Sequence, residues 1–203
     1  MPHSSAALAA LVGSRLCHDL ISPIGAIQNG LELLSLSGSG SGKLAPEMEL
    51  IQDSCESAAA RIRFFRVAFG SAGDGQLMAR RDVLAIFDDL GRGGRLSANW
   101  QPTEDLPRAE VQLAFLAYLC CEAALPQGGV VQLGRDAAGW RIRAEGRRLT
   151  IRPELWDHVN GVDAPFELTP DRVQFAMLVL LAEERGHKLL AAPDDTGLTL
   201  TIA

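Results

Sequence analysis

The chain has 203 residues, 47% of them hydrophobic and 22% charged, which fits one large or two small globular domains with a sizeable core. The formal net charge of −6, with basic residues dispersed and not gathered into a stripe, excludes nucleic acid as the expected partner. No apolar run has the length of a membrane span and the first residues lack a basic signal region, so no membrane association and a cytoplasmic location are expected.

Two long helical patterns come first. Over 6–36 the apolar positions Leu8, Val12, Leu16, Leu20, Ile24, Ile27, Leu31 and Leu34 recur at steps of three and four, the signature of one helix face. SLSGSGSGK (35–43) breaks the pattern and reads as a flexible turn. From Ala45 to Phe69 a second stripe, starting at Leu44 and continuing through Met48, Ile51, Cys55, Ala58, Ile62, Phe65 and Phe69, is heptad-like. Acidic residues lie towards its start and Arg61, Arg63 and Arg66 towards its end, each group complementing the helix dipole. The two helices read as an antiparallel hairpin. Alone, a hairpin cannot cover so long a seam, so pairing with a second copy into a four-helix bundle is expected.

GSAGDGQ (70–76) reads as a linker, placing a helical-hairpin unit at 1–72 and a mixed α/β unit at 73–203. In the second unit, helices are expected at 81–90, 111–125 and 172–185, the last stopped by Gly186. Strands are expected at 95–101, 130–133, 140–144, 188–192 and 198–202, with DAAG and PDDTG as turns. Overall this is an α+β chain. Trp100, Trp140 and Trp156 are expected to pack the α/β unit. His158 and His187 are expected to be surface or satisfied histidines, and Asp194-Asp195 a turn. Cys17, Cys55, Cys120 and Cys121 show neither metal nor disulfide spacing and, with apolar flanks, are expected to be small core residues.

His18 stands apart from this pattern. At about 100° per residue, Leu16, Leu20 and Ile27 fall roughly opposite it, so its imidazole should project into solvent. Its own face carries Ser14, Arg15, Ser22, Gly25 and Asn29, small or polar residues that let a partner approach. Pro23 sits inside the same helical pattern at a cost of about 3 kcal/mol, which something beside His18 must offset. From the residues alone, His18 is either a solvated surface side chain or a nucleophile. Asp19 is either a carboxylate that fixes its tautomer through Nδ1–H and leaves Nε2 free to attack, or an exposed helix carboxylate with no partner.

The run His18-Asp19-Leu20-Ile21-Ser22-Pro23 resembles the H-box of the dimerisation and phosphoacceptor domain of two-component histidine kinases, which is His, acidic residue, Leu, two variable positions, Pro. The segment 111–131, with Pro126 and Gly128-Gly129, resembles the kinase Asn-box helix and its trailing strand. The Asn positions that would hold Mg²⁺ fall on Leu116 and Cys120. The Asp of the adenine loop falls on Ala144, and the Gly-rich phosphate loop becomes ELTPDRVQF (167–175), which has no glycine. A kept scaffold with lost nucleotide chemistry is similar to the ChpT family of histidine phosphotransferases, over essentially the whole chain.

That resemblance implies a homodimer with a central four-helix bundle and degenerate ATPase-like α/β domains. It implies transfer through His18, the phosphoacceptor, with Asp19 orienting its imidazole. Arg15, Ser22 and Gly25 would lie where a receiver docks. The implied partners are the receiver domain of a hybrid histidine kinase (CckA-like) and response regulators (CtrA-like and CpdR-like). No cofactor of its own is implied, since the partner receiver would supply Mg²⁺ and a lysine. Two other readings are a diverged ATP-binding histidine kinase and a non-catalytic dimeric scaffold for response regulators.

Overall fold

A computed structural model describes residues 4–37, 45–73, 75–92, 94–163 and 165–203. Two helices, α1 (Ser5–Ser37) and α2 (Ala45–Ala68), form the hairpin. They run antiparallel: Gly30 meets Ile51 near one end, and Leu16 and Leu20 share a groove with Ile62, Phe65 and Phe69 near the other. The expected turn beyond Ser37, and Leu44 of the second stripe, lie outside the described residues. At Gly30 the helices come so close that a Cβ would stand 2.5 Å from the Ile51 Cγ1, which only glycine permits without a shift.

The stripes are only half used within one chain. Leu16, Leu20, Ile27 and Ile51 are half-buried, whereas Ile24, Leu31, Met48 and Ile62 remain exposed. Two helices can cover one side of each other and no more. The same geometry corrects the expectation for two cysteines. Cys120 and Cys121 are buried, but Cys17 and Cys55 are exposed. Cys17 precedes His18 on the outward side of α1, and Cys55 belongs to the uncovered part of the α2 stripe with Met48 and Ile62.

After the hairpin come β1 (Leu77–Met78), α3 (Arg80–Gly91), β2 (Leu96–Trp100), β3 (Leu106–Pro107) and α4 (Arg108–Ala124). The chain continues through β4 (Gly129–Asp136), β5 (Gly139–Glu145), α5 (Pro153–Val159), a 3-10 turn (Pro170–Arg172) and α6 (Val173–Glu184), and closes with β6 (Leu189–Pro193) and β7 (Leu198–Ile202). The main sheet has the order β2-β4-β5-β7-β6. The β2–β4 pair is parallel and the other pairs antiparallel, and β1 and β3 form a separate antiparallel pair. Alternation along the strands puts Val131, Leu133, Ile142, Leu198 and Leu200 under the helices and Arg141, Thr199 and Thr201 on the opposite face. The result is a two-layer α/β sandwich joined to a helical hairpin.

The expected elements are present with shifted ends, and the DAAG and PDDTG turns join β4 to β5 and β6 to β7. Asp194 closes the second turn by accepting the amide protons of Thr196 and Gly197. Helix α5 and the short pair β1–β3 were not expected. Seven residues of PELWDHV are too few to display a period, although Pro153 at the first helical position is a start signal.

Helix α4 forms the centre of the core: Leu113, Phe115, Leu116 and Cys120 have no exposed surface. It lies between the sheet and α6, meets α2, and touches Phe87 of α3 through Phe115 and Tyr118. The Phe64 ring of α2 stacks on Phe115 with centroids 4.7 Å apart and also meets Phe87 and Tyr118. Trp100 packs on Trp140 and Trp156 on Phe175, as expected. The core is therefore continuous from the end of the hairpin into the sandwich.

The segment after α2 is tied down by side chains of α4. Gln112, itself buried, donates to the carbonyls of Ala68 (3.2 Å) and Gly70 (2.6 Å), and its own carbonyl accepts from Arg185 at 2.6 Å. Arg108 donates to the carbonyls of Arg66 and Ser71. These bonds satisfy the carbonyls that a helix C-terminus leaves open.

Candidate active site

His18 lies mid-way along α1 with its side chain 84% exposed. Its Nδ1 is 3.0 Å from Asp19 Oδ1. An ionised carboxylate only accepts, so in this contact the neutral ring carries its proton on Nδ1 and keeps the Nε2 lone pair towards solvent. Asp19 itself is largely covered, at 10% exposed. Its other oxygen, Oδ2, accepts from Arg15 Nε at 2.8 Å and lies 4.0 Å from Arg61 Nη1 on α2. Pro23 is buried within α1. With no N–H, it removes the helical hydrogen bond that would end on the Asp19 carbonyl, which loosens the backbone where the acidic residue sits.

Ser22 and Gly25 follow His18 at helical steps of four and three. Ser22 is exposed, and a Cβ on Gly25 would meet nothing within 4 Å, so the face is open. Arg15 differs from these two. Its guanidinium is directed into the chain: besides Asp19 it donates to the Asp171 carbonyl at 3.3 Å and lies 3.9 Å from Glu122 Oε2. Its side chain is only 16% exposed.

Beside Asp19 a cavity of about 260 Å³ opens between the hairpin and α4, with Arg61, Arg95, Tyr118 and Glu122 in its wall. Burial pushes the Tyr118 hydroxyl above its ordinary range; the Glu122 carboxyl, half-exposed at the cavity wall, is raised by partial desolvation, with Arg15 and Arg61 opposing the shift. Sequence reading missed Arg61, Glu122 and the Asp171 carbonyl as neighbours of the histidine. Arg61 reads as a dipole complement, and the other two lie far away in the chain with no local motif to mark them.

The positions aligned with the kinase nucleotide site take no part in a polar cleft. Leu116, Cys120 and Ala144 are completely buried in the core. Burial also raises the Cys120 thiol well above its usual range. The segment 167–175 contains the 3-10 turn and the start of α6; Thr169 donates to the Asp171 carboxylate and Gln174 to the Asp171 carbonyl, and the turn packs against α1. The other described histidines are accounted for within the chain. The ring of His158 stacks on Phe166 at 3.9 Å, and His187 Nε2 lies 3.4 Å from Glu110 Oε1. Among the described residues no group of three or more His, Cys, Asp or Glu side chains could hold a metal, and no helix is long and apolar enough to cross a membrane.

Comparison with known proteins points the same way as this geometry. The pattern defining the histidine phosphotransferase C-terminal domain matches residues 80–197. Protein phosphotransferase ChpT of Brucella abortus (strain 2308) is 34% identical over 188 residues, covering 90% of this chain and 88% of the relative. A 1.7 Å structure of a bacterial phosphotransferase superposes with a TM-score of 0.82 at 32% identity, covering 100% of this chain and 98% of that one. The exposed histidine, its buried carboxylate neighbour and these likenesses lead to one conclusion: this chain belongs to the histidine phosphotransferase family and is a protein phosphotransferase.

Proposed function

We propose that the chain is the intermediate carrier of a phosphorelay, with His18 as phosphoacceptor. Nε2 of His18 attacks the phosphorus of an aspartyl phosphate on the receiver of a hybrid histidine kinase (CckA-like). The P–O bond to aspartate breaks, and the aspartate leaves as a carboxylate. The phosphohistidine then gives the same group to the aspartates of CtrA-like and CpdR-like response regulators by the reverse displacement. Positioning and charge neutralisation supply most of the catalysis in such transfers. The receiver brings Mg²⁺ and a lysine; this chain brings an exposed imidazole whose tautomer Asp19 fixes, and an open docking face at Ser22 and Gly25. The single observation that carries this reading is the 84% exposed ring with Nδ1 held at 3.0 Å by Asp19.

The reading includes a homodimer and two units, a hairpin unit at 1–72 and an α/β unit at 73–203. Exposed Ile24 and Leu31 on α1, with Met48 and Ile62 on α2, are the surface that a second hairpin covers in a four-helix bundle. It also includes no use of ATP, supported by the burial of Leu116, Cys120 and Ala144 in the core.

The deciding experiment incubates a phosphorylated receiver with wild-type protein and with His18→Gln. Label on the wild type and none on the variant is the expected result. Equal labelling of both removes His18 as the acceptor. Calorimetry with ATP is expected to show no binding heat, and saturable binding would revive the diverged-kinase reading.

A further inference from the structure

The contact between His18 and Asp19 needs an explanation. Adjacent residues on a helix project about 100° apart and do not naturally face each other. A hydrogen bond between their side chains therefore holds only if the Asp19 rotamer is imposed from elsewhere. Arg15, one helical turn earlier, does this through its Nε bond to Asp19 Oδ2 at 2.8 Å, which leaves Oδ1 for the imidazole. The other two nitrogens of the same guanidinium go to the α/β half of the molecule. Nη1 donates to the Asp171 carbonyl of the 3-10 turn at 3.3 Å, and Nη2 faces Glu122 Oε2 of α4 at 3.9 Å. A planar fork hydrogen-bonded to Asp19 and to the 3-10 turn, with a carboxylate of α4 facing its remaining nitrogen, has little freedom left.

We infer that Arg15 and Glu122 are positioning residues: the α/β half holds Arg15, Arg15 holds Asp19, and Asp19 holds the imidazole in its Nδ1–H tautomer. The inference rests on the reading of His18 as phosphoacceptor and extends it to Glu122, more than one hundred positions away. Charges alternate along the path from carboxylate to guanidinium to carboxylate. Glu122 is needed because two cations, Arg15 and Arg61, crowd the one carboxylate that serves the ring. Without that counter-anion on α4, Arg15 loses the anchor that aims its Nε at Asp19, and Arg61 competes for the same carboxylate. Arg95 and Tyr118, which share the cavity wall with Glu122, are the other polar groups facing it. On this account the α/β half has a task at the phosphoacceptor that needs no nucleotide.

The test uses the full-length protein with ¹⁵N-labelled histidine side chains, at a pH where the ring is neutral. His18→Gln assigns the His18 signals. Wild type is expected to show a dominant Nδ1–H tautomer at His18. Glu122→Gln is expected to lower that share and to slow transfer several-fold at saturating phosphorylated receiver, with receiver affinity unchanged. Glu122→Asp should restore part of the loss. Arg15→Gln should slow transfer about tenfold, the size expected of a small misplacement of a reacting group. The double variant should be no slower than Arg15→Gln alone, because both act on one path. An unchanged tautomer in Glu122→Gln, a loss confined to receiver affinity, or additive losses in the double variant would overturn the inference. The tautomer is read without any phosphoryl donor. An active His18→Gln protein would therefore sink the acceptor reading, while the tautomer shares of the Arg15 and Glu122 variants report separately on the positioning path.

Discussion

Helices α1 and α4 are both rich in apolar residues, yet the fold uses them in opposite ways. Helix α4 is sealed on every side from Val111 to Cys121, Leu113, Phe115, Leu116, Leu119 and Cys120 among the buried residues. Helix α1 is covered along one side only, and Ile21, Ile24, Leu31 and Leu33 stay exposed. An apolar stripe left open to water along a helix is unfavourable, and in the proposed dimer a second hairpin covers it. The difference separates the two tasks of the molecule. The α4 region is a finished scaffold. The hairpin is an open surface on which an exposed imidazole is mounted.

The comparison can be broken most directly where the two regions meet. Phe64 belongs to α2 but fills the core beside Phe115 and is 1% exposed. Phe64→Ala should cost about 4 kcal/mol in denaturant unfolding. It should destabilise hairpin and sandwich together in one transition; two separate transitions would mean that the core is not shared. Within the sealed region, Leu116→Asn restores the residue type that a kinase would use there. It should cost about 3 kcal/mol by burying an amide without partners, and calorimetry should still show no ATP binding. At the junction, Gln112→Ala strips the carbonyls of Ala68 and Gly70 of their donor and should cost about 2 kcal/mol. Proteolysis between 68 and 76 should then become faster. The smallest stability effect is expected on the open surface. Ile24→Ser, at a residue 49% exposed, should change the unfolding free energy of the single chain by no more than about 0.5 kcal/mol. It should nevertheless shift the mass measured by light scattering from two copies towards one, and an unchanged mass would assign the exposed stripe to another partner.

Much of the site could be read from the sequence because it is local. His18, Asp19, Ser22, Pro23 and Gly25 lie within two helical turns, and helix geometry alone places the ring opposite Leu16, Leu20 and Ile27. The rest could not be read because it depends on contacts across the chain. Glu122 is one acidic residue near the end of an apolar helix, and nothing at that position reveals that Arg15 stands beside it. Cys17 and Cys55 were misjudged for a related reason. Apolar neighbours in sequence predict a helix face, but whether a given residue is covered depends on what packs there, and among the described residues Cys17 and Cys55 stay exposed. The Gly-rich stretch 70–76 reads as a linker, and its spacing does not reveal that Gln112 and Arg108 donate to the carbonyls of Gly70 and Ser71.

What the sequence determined by itself was the periodic part: two long helices, the alternating strands, the turns around Gly139 and Asp194, and an outward histidine. Each follows from residue spacing on a repeating backbone, which needs no knowledge of distant partners. Only the tertiary structure decided which apolar faces were covered, that α2 runs into the core of the sandwich, and that a guanidinium joins the α/β half to the carboxylate beside His18. Burial and ion pairing are properties of neighbours in space, and the chain order does not list those neighbours.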